Sequence, residues 1–335
     1  MTPALPFAPG SISIRLYPHN ELDAADVVGE LCQQAALALE LGFDGVMTSE
    51  HHGGFPGYLP NPLQITTFIL DDTAQGWAAP CPLLLPLRPT AMLAEEIAWL
   101  DARHPGRVGL GVAAGALPLD FTAMGLHVDD AVPRFKAELP RIVDMLRGRD
   151  LHGLDGDRAL QRAADHPIPV LSAAVSPAAA RRAARCGAGI LLEGMSAVEQ
   201  LAAACTAFDE AGGTESKVLI RRVWIGEPLT ELIARQRQVY ASVGSATTER
   251  RPFADDQTVI STDPAEIVAR LADTMTRTGA DALNVRVHLP GIPPGAIRDQ
   301  IVRLANEVVP GLRARGWGDA SATDGPRRRP GSAAR

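Results

Sequence analysis

Residues 42–52 read Gly-Phe-Asp-Gly-Val-Met-Thr-Ser-Glu-His-His. Gly42 stops a pattern that runs over residues 23–41 with apolar side chains at helical spacing. Residues 43–48 form a short apolar strand, and Ser49, Glu50, His51 and His52 follow it without a break. The loop beyond, residues 53–62, is dense in Gly and Pro, which permit unusual backbone and close approach to a ligand. A helix feeding a short strand that ends in ionisable side chains is the repeating unit of an α/β fold. In such folds the chemistry sits at the C-terminal strand ends.

Reading outward in both directions, the unit recurs. Strands are expected at residues 11–16, 43–48, 83–86, 108–112, 169–174, 189–192, 218–225 and 283–287, with helical patterns between them. Eight units without a break in composition predict a single (β/α)8 TIM barrel rather than a doubly wound sheet. Two stacked α/β domains would need a linker, and no Pro-, Gly- or Ser-rich linker lies between Gly10 and Leu312. The expected organisation is an N-terminal arm (1–10), the barrel (11–317) and a disordered polar tail (318–335). The polar segment 241–259 follows the seventh strand and reads as a lid-like insertion over the catalytic face.

The chain has 335 residues, of which 46% are hydrophobic and 21% charged, the balance of a globular α/β protein. A net charge of −7 argues against a nucleic-acid partner. Cys32, Cys81, Cys186 and Cys205 show neither a C-x-x-C pair nor metal-ligand spacing. The first residues lack a basic and apolar leader, and the apolar run 81–87 is too short to span a bilayer. A cytoplasmic location with no membrane partner is the resulting expectation.

Listing the strand ends gives the candidate site. They are Pro18-His19, Glu50-His51-His52, Leu87-Arg88, Ala113-Ala114-Gly115, Val175-Ser176, Glu193-Gly194, Ile225-Gly226 and Val287-His288. Four of the eight histidines fall there, and histidine works as acid, base or hydrogen-bond donor near neutral pH. Consecutive Glu50, His51 and His52 would point to alternate faces of a strand, so a metal centre would need His19 or His288 as well, and none is expected. Ser176 opens the helix after the fifth strand, where it serves either as a plain cap or as part of an anion site. Gly109, Gly111 and Gly115 do not have dinucleotide-fingerprint spacing. They either clear room beside a bound ring or let side chains pack across the barrel. Asp101 and Arg107 flank the loop before the fourth strand, at the stability face, and read as structural.

These motifs together resemble the bacterial luciferase-like superfamily of flavin-dependent oxidoreductases. The resemblance rests on Gly42-Phe43-Asp44 leading to Glu50-His51-His52 and then Asn61-Pro62. It is extended by residues 83–101, by Gly106-Arg107-Val108-Gly109, by Asp120-Phe121-Thr122-Ala123-Met124-Gly125, by residues 172–192 and by residues 283–291. It covers nearly the whole chain in order. What it implies is a barrel with reduced FMN, or the deazaflavin coenzyme F-420, at the strand ends. His51 and His52 are then the catalytic candidates. The cofactor would contact Glu50, Asn61, Leu85, Ala113, Gly115, Val175, Ser176 and His288. The resemblance also implies a non-proline cis peptide near Leu84-Leu85. Luciferase itself carries a cysteine and a phosphate-binding arginine where this chain has Ala113 and Ala114, and a threonine where it has Ala179, so its light reaction is not expected. The leading expectation is a reduced-FMN-dependent monooxygenase that uses O2 on a small organic substrate, with a separate NAD(P)H:flavin reductase and a homodimeric state. The alternatives are an F-420-dependent dehydrogenase or reductase, and a non-catalytic flavin-binding barrel subunit.

Overall fold

Every strand of the protein runs parallel to its neighbours, and a helix or loop crossover separates each from the next. The structure, a computed structural model, describes residues 4–53, 55, 57–194, 196–243 and 258–317, with backbone alone at 240–243. Its strands are β1 (Ile12–Arg15), β2 (Gly45–Thr48), β3 (Trp77–Pro80), β4 (Leu83–Leu84), β5 (Leu110–Ala113), β6 (Val170–Ala173), β7 (Gly189–Leu192), β8 (Lys217–Ile225), β9 (Thr258–Ser261) and β10 (Ala282–Arg286). The main helices are α1 (Ala24–Glu40), α2 (Pro62–Asp72), α3 (Thr90–Arg103), α4 (Pro118–Thr122), α5 (Ala131–Met145), α6 (Arg158–Arg162), α7 (Pro177–Cys186), α8 (Val198–Glu210), α9 (Thr230–Val243), α10 (Pro264–Thr278) and α11 (Pro294–Arg303). None of the described helices is long and apolar enough to cross a membrane.

The order is β3-β2-β1-β10-β8-β7-β6-β5-β4, with β9 alongside the upper part of β8. β3 and β4 are two halves of one stave. The lower half pairs with β2 and the upper half with β5. A bridge between Ala78 and Val108 closes the ring: Ala78 N–H donates to the Arg107 carbonyl at 3.0 Å, and Gly109 N–H donates to the Ala78 carbonyl at 3.3 Å. Eight staves therefore surround one axis, as the repeating unit predicts.

The third stave differs from expectation. It begins at Trp77, not at residue 83, and residues 85–87 are a 3-10 turn. Trp77-Ala78-Ala79-Pro80 has no polar alternation and ends in proline, so its local signal is weak. Pairing on both sides makes it a strand regardless. The cis peptide of this stave is Cys81–Pro82, an X-Pro bond, rather than a non-proline bond at 84–85. The lid expected at 241–259 is trimmed from both ends, by α9 and by β9. Residues 244–257 and the tail 318–335 lie outside the described residues.

Ile12, Ile14 and Leu16 pack outward into the large core between barrel and helices. The intervening Ser13 and Arg15 point inward. The barrel interior holds an apolar cluster that includes Met47, Trp77, Cys81, Leu171, Leu191 and Val218. Phe7, from the N-terminal arm, plugs the lower end and meets Trp77 edge-on, with ring centroids 5.1 Å apart. Gly45 is glycine because a Cβ there would come within 2.0 Å of the Trp77 ring. The strand glycines answer the question the sequence left open. A Cβ on Gly109 would strike Phe7, and one on Gly111 would strike Cys81. They let side chains pack across the barrel.

Gly45→Ala should therefore destabilise the fold by about 1–3 kcal/mol through overpacking, read as a lower urea midpoint at unchanged slope. An unmoved midpoint would mean that Trp77 has room to shift.

Asp101 and Arg107 are structural but are not each other's partners. Asp101 accepts from Gly106 N–H at 3.0 Å and binds Arg162. Arg107 instead ties the Thr73–Gly76 turn through Thr73 Oγ1 and the Gln75 and Gly76 carbonyls.

Candidate active site

At the lower end the strands are fully buried. At the upper end they emerge. The last residues of β5, β6 and β10 (Ala113, Ala173 and Arg286) are half-buried, and so are Ile220, Arg222 and Trp224 on β8. These side chains alternate with outward-facing core residues, so they line a bowl that opens at the C-terminal strand ends.

His51 and His52 leave the end of β2 in different directions. His51 Nδ1 lies 2.8 Å from Asp120 Oδ2, and the His52 backbone N–H donates to Asp120 Oδ1 at 2.7 Å. Asp120 sits on the short helix α4 after β5, with a side chain only 1% exposed. With both carboxylate oxygens accepting, His51 donates from Nδ1, which leaves Nε2 as the basic nitrogen of the ring. Its side chain is 19% exposed, and its ring is walled by Phe55 at 5.1 Å and by Tyr58, edge-on, at 4.4 Å. This is an imidazole held by a buried carboxylate and partly open to solvent.

His52 has another task. Its Nε2 lies 3.1 Å from Glu50 Oε1. Arg88 binds the same oxygen, and Leu84 N–H donates to Glu50 Oε2 at 2.6 Å. The fully buried Glu50 thus ties the end of β2 to the upper half of the β3/β4 stave and to the turn after it. Its oxygens are engaged by protein groups.

The remaining candidates divide. Ala113 and Gly115 reach the bowl side of β5. Gly115 has φ +79°, and a Cβ there would sit 3.0 Å from Phe121, the buried neighbour of Asp120. Val175 and Ser176 lie at the start of α7. Ser176 Oγ caps it by accepting from Ala179 N–H at 3.3 Å, and the Val175 carbonyl accepts from Gln200. Asn61 is exposed and caps α2, its Oδ1 accepting from Gln64 N–H at 3.2 Å. Leu85 is wholly buried in the core. Asp120 is the partner of His51 that strand-end reasoning missed, because it lies seven residues beyond Ala113, the end of β5. Its only signal was its place in the Asp120–Gly125 motif.

His288, at the end of β10, is buried and stacked on Tyr17, with centroids 5.6 Å apart, and meets His19 edge-on at 4.9 Å. Burial, then the charges of His19, Arg286 and Arg222, push its pKa well below 6.5. A neutral imidazole makes a poor cationic partner for a phosphate. His19 is fixed from behind: Nδ1 lies 3.2 Å from Glu21 and Nε2 lies 2.9 Å from the Gln34 amide nitrogen, which also donates to Glu30.

The depressed His288 pKa has a signed consequence. Below pH 6.5 the unfolded chain takes up a proton that the folded chain refuses, so stability falls as pH drops from 6.5 toward the folded-state value. The loss is at most about 1.4 kcal/mol per pH unit. His288→Phe should flatten the stability profile between pH 6.5 and 5 in urea titrations. An identical slope in both proteins would remove His288 as the source.

A family model described as luciferase-like monooxygenase matches residues 11–309. The F420-dependent glucose-6-phosphate dehydrogenase of Microbacterium testaceum is 26% identical over 325 residues, covering 85% of this chain and 94% of that one. The chain spans only 43% and 31% of the length of two uncharacterized proteins of Sinorhizobium fredii that it matches at 26% and 31% identity. Among solved structures, the monooxygenase RslO1 from Streptomyces bottropensis superposes with a TM-score of 0.75 at 23% identity, over 90% of this chain and 99% of that one. The oxygenating constituent of 3,6-diketocamphane monooxygenase from Pseudomonas putida, in complex with FMN, superposes at 0.67 and 17% identity, over 90% and 98%. At these identities the structures show the shared fold.

Proposed function

This chain belongs to the luciferase-like monooxygenase family, and we propose that it is a reduced-FMN-dependent monooxygenase that uses O2 to oxidise a small organic substrate. The observation that carries the reading is the His51–Asp120 pair, an imidazole fixed by a buried carboxylate and partly open to solvent at the strand ends. A subunit that only carried flavin would have no use for an oriented base, so the pair supports a catalytic role.

The bowl fits a flavin. Ala113, Ala173 and Gly194 give its β5–β7 side small or absent side chains, and a Cβ on Gly194 would already touch Ile220 at 3.5 Å. At the start of α7 Pro177 has no N–H and the Ala179 N–H is taken by Ser176 Oγ, so the Ala178 N–H and the helix dipole are what this turn would offer the phosphate end. A bound reduced flavin would supply the electrons for oxygen chemistry. The chain's residues do the rest. His51 Nε2 takes or returns a proton at the bowl face, while Asp120 holds the ring's tautomer and angle. Phe55 and Tyr58 exclude water from one side of that ring. Glu50 keeps the two strand ends in register.

One observation favours a deazaflavin dehydrogenase instead. The F420-dependent relative aligns along 85% of this chain. Thermal-shift titration separates the two readings, because the true cofactor raises the unfolding midpoint with the logarithm of its concentration over Kd. FMN, reduced anaerobically, should raise it and coenzyme F-420 should not. The reverse result transfers the assignment to the deazaflavin reading, and no shift with either overturns both.

A further inference from the structure

Two polar groups where β1 meets β10 have no hydrogen-bond partner among the described residues. One is Nδ1 of His288, a residue 3% exposed. The other is the hydroxyl of Tyr17, also 3% exposed. Leaving a buried polar group unpaired is costly, and native folds rarely do it without a use for the group.

Both side chains are held in place. Tyr17 continues the inward-facing row of Ser13 and Arg15. Its ring stacks on His288 at 5.6 Å with the planes 21° apart, and it meets Tyr58 edge-on at 5.3 Å. The Arg286 guanidinium lies 4.3 Å from the centre of the same ring. His288 is braced by His19, whose two nitrogens are engaged by Glu21 and Gln34. Gly57, whose N–H donates to Asn20 Oδ1 at 2.6 Å, lies beside the imidazole. A Cβ there would stand 3.9 Å from His288 Cε1 and 4.0 Å from Nδ1, so the missing side chain leaves a methyl-sized space at that edge.

The unused groups are neutral. Burial above all, and then the charges of His19, Arg286 and Arg222, keep His288 unprotonated at neutral pH. Arg222 and Arg286 each have partners within the protein. Position points to substrate rather than cofactor. The start of α7, where the flavin phosphate end is proposed to lie, follows β6, four staves from β1 in either direction. His51 is nearer, since its ring meets Tyr58 and Tyr58 meets Tyr17.

We propose that the Tyr17 hydroxyl and the His288 imidazole form a substrate subsite for an uncharged oxygen group, a hydroxyl or a carbonyl. This deepens the proposed function and rests on it for the place of the flavin. The substrate is then a neutral oxygenated compound whose apolar frame lies along Tyr58 while its reacting end faces His51. A hydroxyl donates and accepts, so it satisfies the imidazole in either tautomer, and a carbonyl accepts from the phenol. A carboxylate would give up its water for two neutral partners, a poor exchange.

The test uses the full chain, with and without oxidised FMN, and fluorine NMR titration of para-fluorobenzyl alcohol, para-fluoroacetophenone, para-fluorobenzoate and fluorobenzene. Wild type should bind the alcohol or the ketone more tightly than the benzoate and fluorobenzene. Tyr17→Phe and His288→Phe should each weaken the tighter neutral probe about 3- to 10-fold, the worth of a neutral hydrogen bond. Fluorobenzene should bind the variants as it binds wild type, because phenylalanine keeps the shape of the wall. Neither oxygenated neutral probe bound at 5 mM, benzoate bound as tightly, or unchanged affinity in either variant overturns the proposal. The thermal shift by reduced FMN is read in the same variants. A shift lost in His288→Phe gives the pair to the flavin ring, and the substrate assignment falls. Probe binding weakened in the variants while neither FMN nor F-420 shifts wild type would leave the subsite standing and remove the cofactor reading. Cofactor shifts without probe binding would do the opposite.

Discussion

His51→Ala lowers kcat about a hundredfold or more, measured with saturating reduced cofactor, while the cofactor-induced thermal shift survives. The argument is geometric. His51 keeps Nε2 as its basic nitrogen and has its other nitrogen occupied 2.8 Å from Asp120. Alanine removes the proton-transfer group without disturbing the cradle on the β5–β7 side. Asp120→Asn is the companion variant. An amide can offer its nitrogen instead of an oxygen to His51 Nδ1 and so stabilise the other tautomer. It should reduce kcat and displace the pH–rate profile, a readout that a merely structural role for Asp120 would leave in place. Undiminished turnover in His51→Ala removes His51 from the mechanism.

Glu50→Ala should cost about 3 kcal/mol of stability, read as a lower urea midpoint, because it strands Arg88 and the Leu84 N–H where the carboxylate had satisfied both. The figure sits at the low end for breaking a buried pair, since the Arg88 side chain keeps 22% of its surface exposed and water recovers part of the loss. Glu50→Gln retains one oxygen and should lose roughly half as much. A change below about 0.5 kcal/mol in the alanine variant would show that the network is solvated rather than a tie between two staves.

The repeating helix–strand unit was legible in the sequence because each apolar strand is short and bounded by a glycine, a cap or a polar turn. Residues 77–80 escaped notice for the opposite reason, since small side chains and a terminal proline mimic a loop. Phe7 reads as part of an untidy arm. Only the closed ring shows that it fills the floor of the barrel against Trp77. In the site, the His51-His52 pair was visible as an oddity at a strand end, but consecutive residues cannot reveal that one faces Asp120 and the other Glu50. Asp120 is 69 positions from His51, and only packing of α4 against the loop after β2 brings them together. The stack of Tyr17 on His288 is invisible to any local pattern, because the two become neighbours only through the pairing of β1 with β10. Asn61 and Ser176 were picked out by motif and position, and both turn out to cap helices.

The pairing of β1 with β10 also bears on how the chain is made. Ser13 and Arg15 leave a ribosome long before Asn284, to which both are hydrogen-bonded and which follows 269 positions after Arg15. Until then the guanidinium must stay in water, since its interior acceptors are incomplete and half a ring has no inside. Contacts so distant in sequence are slow to form. Closure is thus a late, whole-chain event, and the exposed edge of the unfinished sheet is the state that the synthesis machinery has to protect.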